Sequence, residues 1–343
     1  MKESIKVLEK LITDNDHITL ISHFNPDGDA VGSTMGMKWF LNSLGKRCQP
    51  VLPNPIPKTI DYLDKDGEIL YYTLDKEKVS NIVSESKLII CLDFNKLSRT
   101  EWMEELIRNA SATKVLIDHH IAPDAEEFDL VFSQPESSST CELLFRILMN
   151  TSFIGGDAAK LPYNSRLSLA TGLITDTNNF SNSLTPTTFE TASKLLESGI
   201  DFNYITNMVQ KRFSEDRIRL MGHLMSKSMI TYKDLNAACT ILTLEDKAKY
   251  NFQDGDSEGF VNIPLSIDDV EVSGFFSESK DGYVKVSLRS KNWFSSNRFS
   301  NQYFNGGGHE KAAGGRLFIP IEEVPEYFKK SLEQFLLNEK GQQ

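Results

Sequence analysis

Residues 18–29 read ITLISHFNPDGD, an apolar run (18–22) that stops abruptly at His23-Phe24-Asn25-Pro26-Asp27-Gly28-Asp29. A short Ile/Leu/Thr-rich run closed by a polar loop with Pro and Gly has the form of a strand. From Asp29 the pattern turns helical, with Val31, Met35, Trp39 and Phe40 on one buried stripe and Gly45 as the stop. Two later runs repeat the form. LIICL (88–92) ends at Asp93, and VLI (115–117) ends at Asp118-His119-His120. Continuous apolar runs are what strands covered on both faces look like, so the fold class is α/β with a parallel sheet. Helical patterns at 101–108, 139–149 and 166–174 fall between or after these runs.

Further along, residues 185–227 read as almost wholly helical. TPTTFETASKLLESG (185–199) has a Thr-Pro start and a Gly stop. The grammar then changes to strands at 237–244, 270–277 and 283–289, with Lys280-Asp281-Gly282 as a hairpin turn. NGGGHEKAAGG (305–315) precedes a last strand, RLFI, and a terminal helix from Ile321, and the final residues are expected to fray. The expected organisation is a parallel-sheet catalytic domain over 1–190, a helical connector over 191–228 and a smaller α/β domain with a mixed sheet over 229–343.

Composition narrows the function. The 343 residues carry 37 basic and 48 acidic side chains, a net charge of −11, and are 40% hydrophobic and 25% charged. That is ordinary globular usage and excludes a disordered or fibrous chain. No window approaches about 18 apolar residues, and MKESIKVLEKLITD at the start lacks the apolar core of a signal peptide. Cys48, Cys91, Cys141 and Cys239 are scattered, as in a reducing, cytoplasmic compartment. The acid excess argues against gripping long nucleic acid through phosphate charge, but leaves open a small anion held at one local site.

The chemistry-bearing residues stand at strand ends: His23, Asp27 and Asp29 after the first run, Asp93 after the second, Asp118, His119 and His120 after the third. Asp176 closes a helical run in TGLITDTNNF. In an open α/β sheet the carboxyl ends of the strands line one crevice, so these groups converge. Singly, each has a structural reading: Asp27-Gly28 as a turn, Asp29 or Asp93 as a helix cap, His119-His120 as a packed or surface pair. Jointly, about five carboxylates with two or three imidazoles are too costly to gather unpaired. Two divalent cations relieve that cost. The mixed carboxylate and imidazole set suits Mn²⁺ best, with Mg²⁺, Co²⁺ or Fe²⁺ as substitutes, and a pair about 3.5–4 Å apart activates water and clamps a phosphate.

A second signal is Gly306-Gly307-Gly308-His309 followed by Ala312-Ala313-Gly314-Gly315. Successive glycines let backbone N–H groups approach an anion, and a helix start behind them would add its dipole. With Arg289 in the strand VKVSLRS upstream, they form an expected anion pocket of one cation, one imidazole and a nest of amides. Ser287, Ser290 and Arg298 are further candidates, Arg298 reading more simply as a solvated helix residue.

His-x-x-x-Asp-x-Asp, a strand-end Asp, Asp-His-His and a downstream Asp resemble the four motifs of the DHH phosphoesterase superfamily. The resemblance implies that His23 and Asp27 ligate one metal and Asp29, His119 and Asp176 the other, with Asp93 bridging. His120 would face the substrate phosphate or leaving group, and Asp118 would orient its neighbours. The glycine-rich stretch is similar to the signature of the C-terminal domain that accompanies DHH domains, which implies that Arg289, Gly306, Gly307, Gly308 and His309 hold the nucleotide end of the substrate. Asn305 departs from it, standing where a further glycine is common. The domain pair most resembles the oligoribonuclease and 3′-phosphoadenosine 5′-phosphate phosphatase (nano-RNase) subfamily, rather than the membrane-anchored cyclic-dinucleotide phosphodiesterases, the longer RecJ-type exonucleases or the family II pyrophosphatases.

The resemblance implies a Mn²⁺-dependent phosphohydrolase that takes short oligoribonucleotides to mononucleotides and 3′-phosphoadenosine 5′-phosphate to AMP and phosphate. Its C-terminal domain would close over the cleft. The alternatives are a linear di-adenylate phosphodiesterase, an exopolyphosphatase or pyrophosphatase, and a non-catalytic nucleotide or metal sensor. Neither long duplexes nor membranes are expected partners; a homodimer through the apolar connector is.

Overall fold

The apolar runs become the centre of a six-stranded sheet. The computed structural model describes residues 2–210 and 213–340, and the chain divides into two units, Met1–Arg212 and Phe213–Gln343. In the first, β1 (His17–Ile21), β2 (Arg47–Leu52), β3 (Leu70–Tyr71), β4 (Leu88–Leu92), β5 (Thr113–Asp118) and β6 (Leu130–Ser133) pair in the order β3-β2-β1-β4-β5-β6. Every pairing is parallel.

Parallel strands need crossover helices, which cover both faces. Residues of β4 accordingly divide by the period of two: Leu88, Ile90 and Leu92 join one core with Leu8, Phe40 and Leu144, while Ile89 and Cys91 join another with Val79, Val83 and Ile107. The helices are α1 (Lys2–Asp14), α2 (Gly28–Ser43), α3 (Lys76–Glu85), α4 (Glu104–Arg108), α5 (Thr140–Met149), α6 (Tyr163–Asp176), α7 (Pro186–Glu197) and α8 (Phe202–Gln210). The strand order reverses between β1 and β4, so a crevice opens outside their carboxyl ends.

Two helical expectations change. α2 is not an amphipathic helix with one buried stripe, since Gly28 through Lys38 are all buried. Its Gly28, Gly32 and Gly36, spaced by four, meet α6 at backbone distance. A Cβ on Gly32 would lie 2.6 Å from the Ser168 carbonyl, and one on Gly36 would lie 2.8 Å from Leu169. This approach carries Asp29 of α2 toward Asp176 at the end of α6. The helix expected over 101–108 is α-helical only from Glu104; a 3₁₀ segment (Leu97–Met103) precedes it, broken at Glu101 with φ +50°.

The helical run after 185 begins as read, with Thr185 as N-cap, Pro186 in the first turn and Gly199 at φ +93°. Residues 211–212 of that run, and 341–343 where fraying was expected, lie outside the described residues. The division between units falls inside the stretch read as a connector.

The second unit begins with α9 (Glu215–His223), which runs into a π-turn (Leu224–Ser228). Its mixed sheet comprises β7 (Met229–Tyr232), β8 (Ala237–Leu242), β9 (Val272–Glu278), β10 (Val284–Ser290), β11 (Gly307–Gly308) and β12 (Ala312–Leu317), ordered β11-β12-β10-β9-β8-β7. Here β8–β9 is parallel, and β7–β8, β9–β10, β10–β12 and β11–β12 are antiparallel. α10 (Leu244–Lys249) follows β8, while α11 (Ser296–Tyr303) and α12 (Val324–Lys340) share one core with Phe276, Leu288 and Phe304. Leu220, Phe260 and Phe275 form another. Among the described residues, no helix is long and apolar enough to cross a membrane.

Candidate metal centre

Every strand-end donor named above lies at the β1/β4 crevice or on a helix facing it. His23 is buried two residues beyond β1. Asp27 is the N-cap of α2, its Oδ1 accepting from the amides of Asp29 (3.0 Å) and Ala30 (3.1 Å). The capping reading therefore holds, on Asp27 rather than Asp29, and coexists with the chemical one. Asp93 follows β4 in the left-handed region at φ +65°, while its N–H still extends the sheet to the Ile117 carbonyl (3.1 Å). Asp is one of the few non-glycine residues that visits this region readily.

Three donor groups each gather within 4.8 Å: His23, Asp27 and Asp93; Asp29, His119 and Asp176; and Asp93, His119 and His120. Asp93 faces two ways. Its Oδ2 lies 3.5 Å from His23 Nε2 and its Oδ1 lies 3.7 Å from His119 Nε2. His119 Nε2 also lies 3.6 Å from Asp176 Oδ2 and 3.9 Å from Asp29 Oδ2. Both imidazoles are oriented from behind. His23 Nδ1–H donates to the Phe24 carbonyl (2.9 Å) and His119 Nδ1–H to the Ser137 carbonyl (3.2 Å), which turns each Nε2 into the cluster. His120 is held by Asp118, which is fully buried. Oδ1 of that carboxylate accepts from His120 Nδ1–H (2.7 Å) and Oδ2 from its backbone amide (3.1 Å).

The electrostatics test whether such a set fits divalent cations. Burial first, then the Asp29 and Asp27 carboxylates, push the Asp93 carboxyl well above its ordinary range; burial and Asp29 do the same to Asp176. Burial opposes the charge on His119, but Asp29, Asp93 and Asp176 outweigh it and raise the imidazole to about 9. Crowded carboxylates that hold protons this way are what divalent cations relieve, and the oxygen and imidazole donors are those Mn²⁺ or Mg²⁺ would accept. The residues present fit the group.

Sequence reasoning missed the supports of this cluster. Thr140 and Cys141 donate their backbone N–H groups to Asp29 (2.6 and 2.9 Å), and Thr140 Oγ1 donates to Asp93 Oδ1 (2.9 Å). The signal present was Ser138-Ser139-Thr140-Cys141-Glu142, a helix-start pattern with more hydroxyls than a cap requires.

In the second unit, the glycine-rich stretch is a β-hairpin, and it runs into strand β12 rather than into a helix start. Gly307 and Gly308 pair with Gly314 and Ala313, and the chain turns back at His309, whose N–H donates to the Ala312 carbonyl (2.8 Å). Glycine is required by strand proximity: a Cβ on Gly306 would lie 1.9 Å from the Gly314 carbonyl oxygen. Asn305 adopts φ +47°, a conformation Asn shares with Gly, which accounts for its place there.

Arg289 pairs opposite Ala312, which in turn bonds to His309, so the two residues stand in one row across the sheet, with backbones about 10 Å apart. The Arg289 guanidinium is half-buried, and burial draws its pKa down. Among the described residues it has no carboxylate partner, and its Nη1 donates to the Leu288 carbonyl (2.9 Å). Ser287 shares the face of Arg289, two residues along the strand. Ser290 is buried and bonded to the Phe294 carbonyl, while Arg298 pairs with Glu339 (2.6 Å) on α12.

Comparison with known proteins matches residues 17–173 to the DHH family, N-terminal domain, and residues 236–337 to the DHHA1 domain. A probable bifunctional oligoribonuclease and PAP phosphatase, NrnA of Streptococcus mutans, is 29% identical over 91% of this chain and 93% of its own. The cyclic-di-AMP phosphodiesterase GdpP of Bacillus subtilis is 28% identical over 96% of this chain but 49% of its own. The crystal structure of an exopolyphosphatase-related protein from Bacteroides fragilis superposes with a TM-score of 0.93 at 37% identity, covering 98% of this chain and 97% of that one.

Proposed function

The chain belongs to the DHH superfamily of metal-dependent phosphoesterases, and from that premise we propose that it hydrolyses short oligoribonucleotides to mononucleotides and 3′-phosphoadenosine 5′-phosphate to AMP and phosphate. The observation that carries a two-cation reading is Asp93, whose two oxygens face different imidazoles at 3.5 and 3.7 Å. The substrate class is supported by the S. mutans relative, matched across nearly its whole length.

In this reading His23, Asp27 and Asp93 hold one cation and Asp29, His119 and Asp176 the other, with Asp93 shared. When bound, such ions neutralise the carboxylates, acidify water and polarise phosphoryl oxygens. The chain supplies the rest. Its imidazoles arrive with Nδ1–H already committed, so little reorganisation is needed at Nε2. His120, its Nδ1–H held by buried Asp118, faces the leaving oxygen and stabilises the charge that develops there. Arg289, with Gly306, Gly307, Gly308 and His309, receives a terminal phosphate or nucleotide, the anion repaying the cost of a half-buried guanidinium that has no carboxylate partner among the described residues.

Mn²⁺-supplemented hydrolysis of di- to penta-nucleotides, 3′-phosphoadenosine 5′-phosphate, linear di-adenylate and polyphosphate tests the assignment. Mononucleotides from the short RNAs, together with AMP from the second substrate, support it. Release from polyphosphate alone, the outcome favoured by the B. fragilis neighbour's description, refutes it, as does turnover confined to linear di-adenylate.

A further inference from the structure

We infer that Thr140 is a positioning residue for the shared carboxylate: its hydroxyl sets which oxygen of Asp93 faces each donor group, and so decides whether the cluster takes two cations or one. The inference rests on the two-cation reading above and goes beyond it.

Thr140 opens α5, which is capped by Ser139; the Ser139 Oγ accepts the Glu142 N–H (2.9 Å). The first two amides of the helix point at Asp29, Thr140 N–H onto Oδ2 and Cys141 N–H onto Oδ1. The Thr140 hydroxyl donates to Asp93 Oδ1 at 2.9 Å. One residue thus grips a carboxylate from each of two donor groups, Asp29 by its backbone and Asp93 by its side chain.

Asp93 Oδ1 is the oxygen on the His119 side, and Oδ2 is the one on the His23 side. A strand-end Asp has two side-chain torsions to be set, and the Thr140 hydroxyl reaches this carboxylate at 2.9 Å from another segment of the chain. The Thr140 bond fixes the carboxylate plane with one oxygen per group. Released, Asp93 can present both oxygens to the same group and leave the other short of a ligand.

The grip is itself anchored. Glu142 is wholly buried and accepts from the Ser138 N–H (3.1 Å) and Oγ (2.5 Å), and from the hydroxyls of Thr187 (2.6 Å) and Thr188 (2.9 Å) at the start of α7. A buried carboxylate satisfied by four donors holds its surroundings to one arrangement, so the turn carrying Thr140 has little freedom to follow Asp93.

Calorimetric titration of the ion-free full chain with Mn²⁺, paired with Mn²⁺ electron paramagnetic resonance, tests this. Thr140→Val keeps both backbone amides on Asp29 and removes only the hydroxyl; Thr140→Ser restores it. Wild type and Thr140→Ser are expected to bind two ions. In Thr140→Val one ion binds as in wild type and the other about 10- to 100-fold more weakly. Its kcat for a dinucleotide falls while KM holds. A Thr140→Val protein that binds both ions with wild-type affinity overturns the inference while leaving the phosphohydrolase reading intact. A wild-type chain that binds no Mn²⁺ overturns that reading, and this inference with it. Should Thr140→Val lose its cooperative melt, Thr140→Ala carries the same comparison.

Discussion

Asp93→Asn should make the ion-free protein more stable and the ion-loaded protein inert. The wild-type carboxylate is 2% exposed, beside Asp27, Asp29 and Asp176, and accepts from the Thr140 hydroxyl. Asn has nearly the same shape, tolerates φ +65° as Asp does, and carries no charge. Because burial and neighbouring carboxylates raise the folded-state pKa of Asp93 above its unfolded value, ionisation is what folding penalises. That penalty is absent at low pH, where the group is protonated in both states, grows as pH rises above the unfolded value, and is complete once pH has passed the folded one. At pH 8 the variant should gain about 1–2 kcal/mol, the usual return from relieving a functional site. For a unit the size of 1–212 this is a rise of roughly 2–8 °C in Tm, shrinking as the pH is lowered.

Adding Mn²⁺ reverses the order. At about 100 times Kd each bound ion contributes about 2.7 kcal/mol, or roughly 5–10 °C, to the wild type. The variant has lost the shared ligand and should gain little, and its hydrolysis should fall on the order of 1,000-fold or more. Thermal melts with and without chelator at pH 6 and pH 8 read all of this. An ion-free variant that melts at or below wild type at pH 8, while retaining the full Mn²⁺ shift, would refute the reasoning.

Gly172→Ala places a Cβ 2.2 Å from Cys141 Sγ and 2.8 Å from Asp29 Oδ1, so denaturant titration should show a loss of about 1–3 kcal/mol, with a reduced Mn²⁺ shift. An unchanged Mn²⁺ shift would mean that Asp29 is not held by this contact. Arg289→Ala should raise KM for a dinucleotide about 10- to 100-fold, the worth of a charge-assisted contact, and leave the Mn²⁺ melting shift alone. An unaltered KM would place the nucleotide end elsewhere.

The strands and the residues closing them were legible because strands of a parallel sheet, buried on both faces, read as unbroken apolar runs, and polarity returns where the chain leaves the core. The supports were not legible. Thr140 meets Asp29 and Asp93 across 111 and 47 residues of chain, and nothing local in a Ser-Thr helix start says which carboxylate it serves. The burial of α2 was hidden in Gly28, Gly32 and Gly36, a spacing that matters only against a second helix. The glycine run near 306 likewise gave no sign of the strand pairing that requires Gly306 and Gly308 by proximity.

By itself, then, the chain's order of apolar runs and polar stops determined an α/β fold and the residue types gathered at its crevice, because burial and strand direction act locally and repeat. Which oxygen of Asp93 faces which imidazole, and what holds it there, was decided only by the tertiary structure. Orientation at a buried carboxylate is set by hydrogen bonds from distant segments, and those exist only once the helices have closed on the sheet.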